Sequence, residues 1–182
     1  MTGDKVVSRA RSATRQGAHY GLGSGGFKPD APTPWEVTDP AKRCDCSGFA
    51  SWALGVSRFV KSGNPLFGAL EGAWLETTAI YADATADSPG AFFSIPWESA
   101  APGDLIVYPD HKDAAGIKRE GHIAVVGHVG ESGPNSIIHC SLGNANSLGD
   151  AIAETSVLPF WHERKAVVAR CSLVHPNVPP VV

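Results

Sequence analysis

The 182-residue chain holds no apolar run approaching the roughly 20 residues that cross a bilayer. Its N-terminus, MTGDKVVSRARSATRQ, is interrupted by Arg9, Arg11 and Arg15 and has no apolar stretch of signal-peptide length. The sequence therefore predicts neither a Sec signal nor a membrane anchor. The expectation is a chain made in the cytoplasm that leaves, if it leaves, through a dedicated secretion machine or by lysis. A basic surplus is also missing: 15 Lys and Arg stand against 18 Asp and Glu. Proteins that live on phosphate contacts usually carry such a surplus, so nucleic acid is not an expected partner.

Cysteine is scarce, at four residues (Cys44, Cys46, Cys140 and Cys171), too few for a disulfide scaffold. Cys44 and Cys46 are two apart, which is not the CxxC spacing of a zinc ribbon or a redox pair. A Cys44–Cys171 or Cys44–Cys140 bridge stays open. Charged residues make up only 18% and hydrophobic residues 43%, enough for a buried core and against wholesale disorder. Twenty glycines and fourteen prolines argue against a helical bundle and for short elements joined by many turns.

The pattern along the chain predicts one α+β domain over 1–182. Residues 4–17 read as a helix with a basic face, ended by Gly17. Residues 21–41 cluster Gly and Pro and read as loop. The clearest helix covers 46–60, with Phe49, Trp52, Ala53, Val56, Phe59 and Val60 at 3–4 spacing, Asp45 as N-cap and Gly63 as terminator. Residues 68–84 are a weaker helical candidate. After Pro89, β-branched runs at 104–108, 122–129, 135–140 and 166–174 predict strands. They follow one another without long helical crossovers, so the sheet is expected to be antiparallel. Residues 62–110 carry seven acidic residues and no Lys or Arg. That is ordinarily a solvated face; it would also favour a substrate with a free amine.

Chemistry concentrates at Asp45-Cys46-Ser47-Gly48-Phe49. A thiol at a helix N-terminus sees the positive end of the dipole and unpaired N–H groups, both of which favour the thiolate. Gly48 would let a partner or substrate approach the first turn. The competing reading of Cys46 is a small buried hydrophobe. A cysteine nucleophile needs a base. His122, in Gly121-His122-Ile123-Ala124-Val125-Val126, begins a predicted strand and shares a face with Ala124 and Val126, where it would meet a helix packed on the sheet. His139 lies on the next predicted strand, within reach of the His122 ring.

Four motifs in order, Asp45–Phe49, Pro102–Leu105, Gly121–Val126 and Ile137–Ser141, resemble the NlpC/P60 family of cysteine peptidases. The resemblance spans roughly residues 10–142. It implies a papain-like α+β fold with N-terminal helices on an antiparallel sheet, and cleavage of amide bonds in bacterial peptidoglycan stem peptides. It implies Cys46 as nucleophile, His122 as base and His139 as the orienting third residue. Tyr20-Gly21-Leu22-Gly23 looks like the family's Tyr-x-x-Gly segment, making Tyr20 an oxyanion or substrate-binding candidate. Ser47 is a second oxyanion candidate and Asp45 a cap or supporting group. The chain departs from the family in insertions at about 21–43 and 109–121 and in a tail after His139 longer than a minimal domain needs. No wall-binding repeat is attached. Small members without a signal include phage lysis enzymes and amidase toxins, which by analogy would bring an immunity or delivery partner. No cofactor, no metal and no membrane contact is expected, and a monomer is the default.

Two other readings stay open. The same triad would serve a deamidase or an acyltransferase on another acyl substrate, and a catalytically inactive module would bind wall fragments or a protein. His122, His128, His139 and a cysteine could also make a zinc site. His19 and His111 would edge the cleft, and His162 and His175 read as surface residues. Trp35, Trp74, Trp97 and Trp161 read as core or loop anchors.

Overall fold

A computed structural model describes residues 1–61, 74–113, 115–158 and 166–174. The chain opens with α1 (Gly3–Ser12), which buries Val6, Val7 and Ala10 at helical spacing. It stops earlier than the expected 4–17, and the chain turns through positive φ at Arg15 and Gly17. Strand β1 (His19–Tyr20) then pairs in parallel with β2 (Arg43–Cys44), in register His19 with Arg43 and Tyr20 with Cys44. The Gly/Pro-rich excursion between them folds back on this pair. Gly21 donates its N–H to the Cys44 carbonyl, and the Asp45 N–H donates to the Ser24 carbonyl.

Helix α2 (Cys46–Ala53) is buried at every residue. It is half as long as its apolar spacing predicts. Gly55 takes a left-handed φ of 71°. Val56 and Gly55 donate to the Ser51 and Trp52 carbonyls, which caps the helix in a Schellman motif. Val56 and Val60 are still buried beyond this stop, so the apolar period runs on after the helix has ended. The expected terminator Gly63 lies outside the described residues. Of the 68–84 candidate, 77–84 forms α3 (Thr77–Ala84), capped by the Glu76 carboxylate, and 68–73 lies outside the described residues.

The main sheet holds β3 (Phe92–Ile95), β4 (Leu105–Tyr108), β7 (His122–Gly130), β8 (Gly133–Cys140), β9 (Ile152–Ser156) and β10 (Val167–Cys171). Their order is β3-β10-β4-β7-β8-β9, and every neighbouring pair is antiparallel. The loop at 109–121 carries a small hairpin, β5 (His111–Lys112) with β6 (Lys118–Arg119). A short helix α4 (Leu142–Leu148) joins β8 to β9. The tail after His139 is therefore not an appendage: it supplies one edge strand and, in β10, an interior strand.

The sheet divides the core. Ile123 and Val125 of β7, Ile138 and Cys140 of β8, and Leu105 and Val107 of β4 pack with Val6, Ala10, Phe49 and Trp52 of α1 and α2. Ala124, Val126, Ile137, Ile106 and Tyr108 form a second cluster on the opposite face. Among the described residues no helix is long and apolar enough to cross a membrane.

Candidate active site

Cys46 is the first residue of α2 and is buried. Asp45 caps the helix, its Oδ1 accepting from the Gly48 N–H at 2.7 Å. The cap is itself held by the 21–43 excursion, since Oδ2 accepts from the Gly23 N–H at 2.6 Å. The space above Gly48 is taken by the Ser24 and Gly25 carbonyls, which a Cβ would strike. Its lack of a side chain thus admits this loop rather than an outside partner.

The Asp45 charge is answered by Arg58. The guanidinium donates to both carboxylate oxygens at 3.0 Å, to the Ser24 carbonyl at 2.8 Å and to Ser47 Oγ at 3.0 Å. Both side chains of the ion pair are almost wholly buried, at 2% and 3% exposure. Ser47 Oγ also donates to Asp45 Oδ1 at 3.3 Å, so its hydroxyl is part of this buried network.

The thiol does not follow the helix-dipole expectation. Burial, and after it the Asp45 carboxylate, push Cys46 up to about 12, while the backbone N–H groups of Ile123 and Ser47 pull the other way. Two N–H groups and a helix dipole are outweighed by desolvation, so the resting sulfur is a neutral thiol. Contact with the Ile123 N–H sets Cys46 one residue along the strand from His122.

The two histidines come together across neighbouring strands. His122 Nε2 and His139 Nδ1 are 2.8 Å apart, with the rings nearly perpendicular at 84°. His139 Nε2 lies 3.1 Å from Thr155 Oγ1 on β9. Burial lowers His139 to about 4, so its ring is neutral near pH 7. A neutral His139 that donates to Thr155 through Nε2–H presents a bare Nδ1 to accept the His122 Nε2–H. That arrangement leaves the His122 Nδ1 lone pair as the basic position.

Beyond His122, the first residue of β7, Ile123 and Val125 pack with α1 and α2, while Ala124 and Val126 belong to the cluster on the other face. A cleft of about 180 Å³ opens at the thiol, lined by Tyr20, Asp45, Cys46, Ser47, Trp74, Glu76, Asp110 and Glu120 among others. Neither histidine is among the described residues that line it. Tyr20 is half-buried, and burial, with the Cys46 sulfur second, pushes its phenol well up, keeping it protonated. A larger cavity of about 540 Å³, between the end of α1 and β9, lies away from the thiol.

His128 leaves the site altogether. The β7–β8 register shifts on both sides of it, and its Nδ1 lies 2.8 Å from Asn135 Oδ1 on the exposed surface. A bulge cancels the same-face argument that linked it to His122. Among the described residues no group of three His, Cys, Asp or Glu side chains is arranged to hold a metal. His111 sits on β5, 3.3 Å from the Pro109 carbonyl through Nδ1, with its ring nearly perpendicular to that of Tyr108. His19 is exposed on β1. His162, His175 and Trp161 lie outside the described residues. Trp35 is buried, and Trp74 is exposed at the cleft.

Sequence reasoning missed Arg58 and Thr155. For Arg58 a signal existed: a buried cap carboxylate beside a thiol needs a cation, and 45–110 offers only Arg58 and Lys61. Thr155 had none, because β9 was not read as a strand. A scan against protein-family models gives no match to this chain, and neither does a search of the curated proteins.

Proposed function

We propose that the protein is a cysteine hydrolase that cleaves amide bonds in peptidoglycan stem peptides through Cys46, His122 and His139, on a papain-like arrangement. The observation that carries the reading is the 2.8 Å bond between the two imidazoles at the start of the strand that the Cys46 thiol touches. Choice of substrate rests on the four motifs that resemble the NlpC/P60 family.

In this mechanism the Cys46 sulfur attacks the scissile carbonyl as its proton passes to His122 Nδ1. A general base is required at this step, because the thiol near 12 is neutral at physiological pH. The oxyanion is met by the Cys46 backbone N–H, which at the first position of α2 has no intrahelical acceptor. Imidazolium then protonates the leaving amine, giving a thioester. Water, deprotonated by the same nitrogen, attacks the thioester and frees the acid and the thiol. His139 and Thr155 hold the tautomer of His122 throughout. No cofactor enters.

The test is incubation of wild type and Cys46→Ala with sacculi and with muropeptides, read by mass spectrometry. Cleavage that vanishes in the variant supports the reading, and the product masses name the bond. Folded, reduced wild type that leaves every muropeptide intact refutes the substrate assignment.

A further inference from the structure

Three of the four thiols gather at the cleft: Cys46 lines it, and Cys44 and Cys140 are buried. Cys44 ends β2, two residues before the nucleophile; Cys140 ends β8, directly after His139. The Cys140 thiol donates to the Cys44 carbonyl at 3.1 Å, and both residues are fully buried. The Cys44 thiol donates to the Asp45 carbonyl at 3.4 Å, and the Cys44 side chain together with burial pushes Cys140 well up. Cys46 is turned toward the Ile123 N–H instead. Cys171 lies on β10, with β4 and β7 between it and β8, which removes the Cys44–Cys171 alternative. All four cysteines are free in the structure.

We propose that Cys44 and Cys140 are a disulfide site, oxidised when the chain folds in an oxidising compartment, and that the bond ties the strand leading to Cys46 to the strand carrying His139. The oxidant is an external disulfide, either oxidised glutathione or a dithiol–disulfide oxidoreductase. One cysteine thiolate displaces a sulfur of that disulfide, and the second attacks the mixed disulfide. One S–S bond forms in the protein and the external one breaks. Both cysteine protons end on the two external thiols, which carry the two electrons. Once the fold has closed, burial puts both sulfurs out of reach of an external disulfide, so exchange belongs to folding. In a reducing compartment both remain thiols.

The joined residues are 96 apart in sequence, so the bond removes much freedom from the unfolded chain. A rise in melting temperature of roughly 5–15 °C follows. The experiment refolds the full chain in a glutathione redox buffer, alkylates it under denaturing conditions and maps it by mass. The expected result is two alkylated cysteines, Cys46 and Cys171, one Cys44–Cys140 linked peptide, and a melting temperature above that of the same chain refolded in dithiothreitol. Cys46→Ala should give the same linked peptide, and the Cys44→Ser, Cys140→Ser double variant should lose the dithiothreitol response. Four alkylated cysteines, or a linked peptide containing Cys46 or Cys171, would overturn the proposal. The readout is thiol count and melting, so it stands or fails separately from the hydrolase reading.

Discussion

Replacing Arg58 by Met should destabilise the protein more than any other single change near the cleft that leaves the thiol in place. The guanidinium is 2% exposed and its partner carboxylate 3%, so solvent does little to screen the pair. Removing one partner of such a pair costs about 3–5 kcal/mol, because the other charge is left buried. The Ser24 carbonyl loses its 2.8 Å donor as well, and the Ser47 hydroxyl its 3.0 Å one. For a chain of this length each kcal/mol moves the melting temperature by about 2–4 °C, so the drop should be roughly 6–20 °C. The decisive assay is a double-mutant cycle by urea unfolding with Asp45→Asn, Arg58→Met and both. The double variant should cost less than the sum of the singles by at least about 1 kcal/mol, since with the carboxylate turned into an amide no orphaned charge is left. Additive costs, or Arg58→Met within about 1 kcal/mol of wild type, would show that the helix cap and the Gly23 N–H alone satisfy Asp45, and the argument for Arg58 as its counter-charge would fail.

Other expectations follow from the same geometry. Thr155→Val should lower kcat about tenfold with KM little changed, as one positioning hydrogen bond is lost, and Thr155→Ser should restore it; a shift in KM alone would contradict this role. His139→Ala should reduce muropeptide turnover less than Cys46→Ala, because orientation is only part of the barrier. His139 is lowered from 6.5 to about 4, so the unfolded chain binds the extra proton first and stability must fall as pH drops from about 6.5 to about 4. The loss is at most about 3 kcal/mol, and urea titrations of His139→Gln should show a flatter profile over that window. Alkylation of Cys46 by iodoacetamide, followed by mass mapping, should be slow at pH 8 and rise about tenfold per pH unit toward 11. Fast alkylation at neutral pH would instead reveal a preformed thiolate.

The α+β order, the antiparallel sheet and four of its strands are legible in the sequence, because β-branched runs bounded by turn residues have few other uses. Strands β3 and β9 are not. Phe92–Ile95 is too short to show a period, and Ile152–Ser156 alternates against polar residues on an exposed edge. The length of α2 is over-read since Val56 and Val60 keep helical spacing past Gly55, and spacing alone does not register a Schellman stop. The pairing of His122 with His139 is legible from two consecutive strands. What surrounds Cys46 is not: desolvation of the thiol, the buried Arg58 and the loop lying over Gly48 all depend on a segment that looks like filler in the sequence.

The position of β10 has a consequence for assembly. It enters between β3 and β4, two strands close in sequence that never touch each other in the sheet. A chain emerging in order would make the thiol first, then both histidines, with β4 still exposing an unpaired edge beside the strand of His122. Loop closure over some sixty residues must precede that last pairing, which is slow and leaves the edge open to other chains. A fragment ending before residue 167 would thus contain Cys46, His122 and His139 and still lack the interior strand that clamps β4.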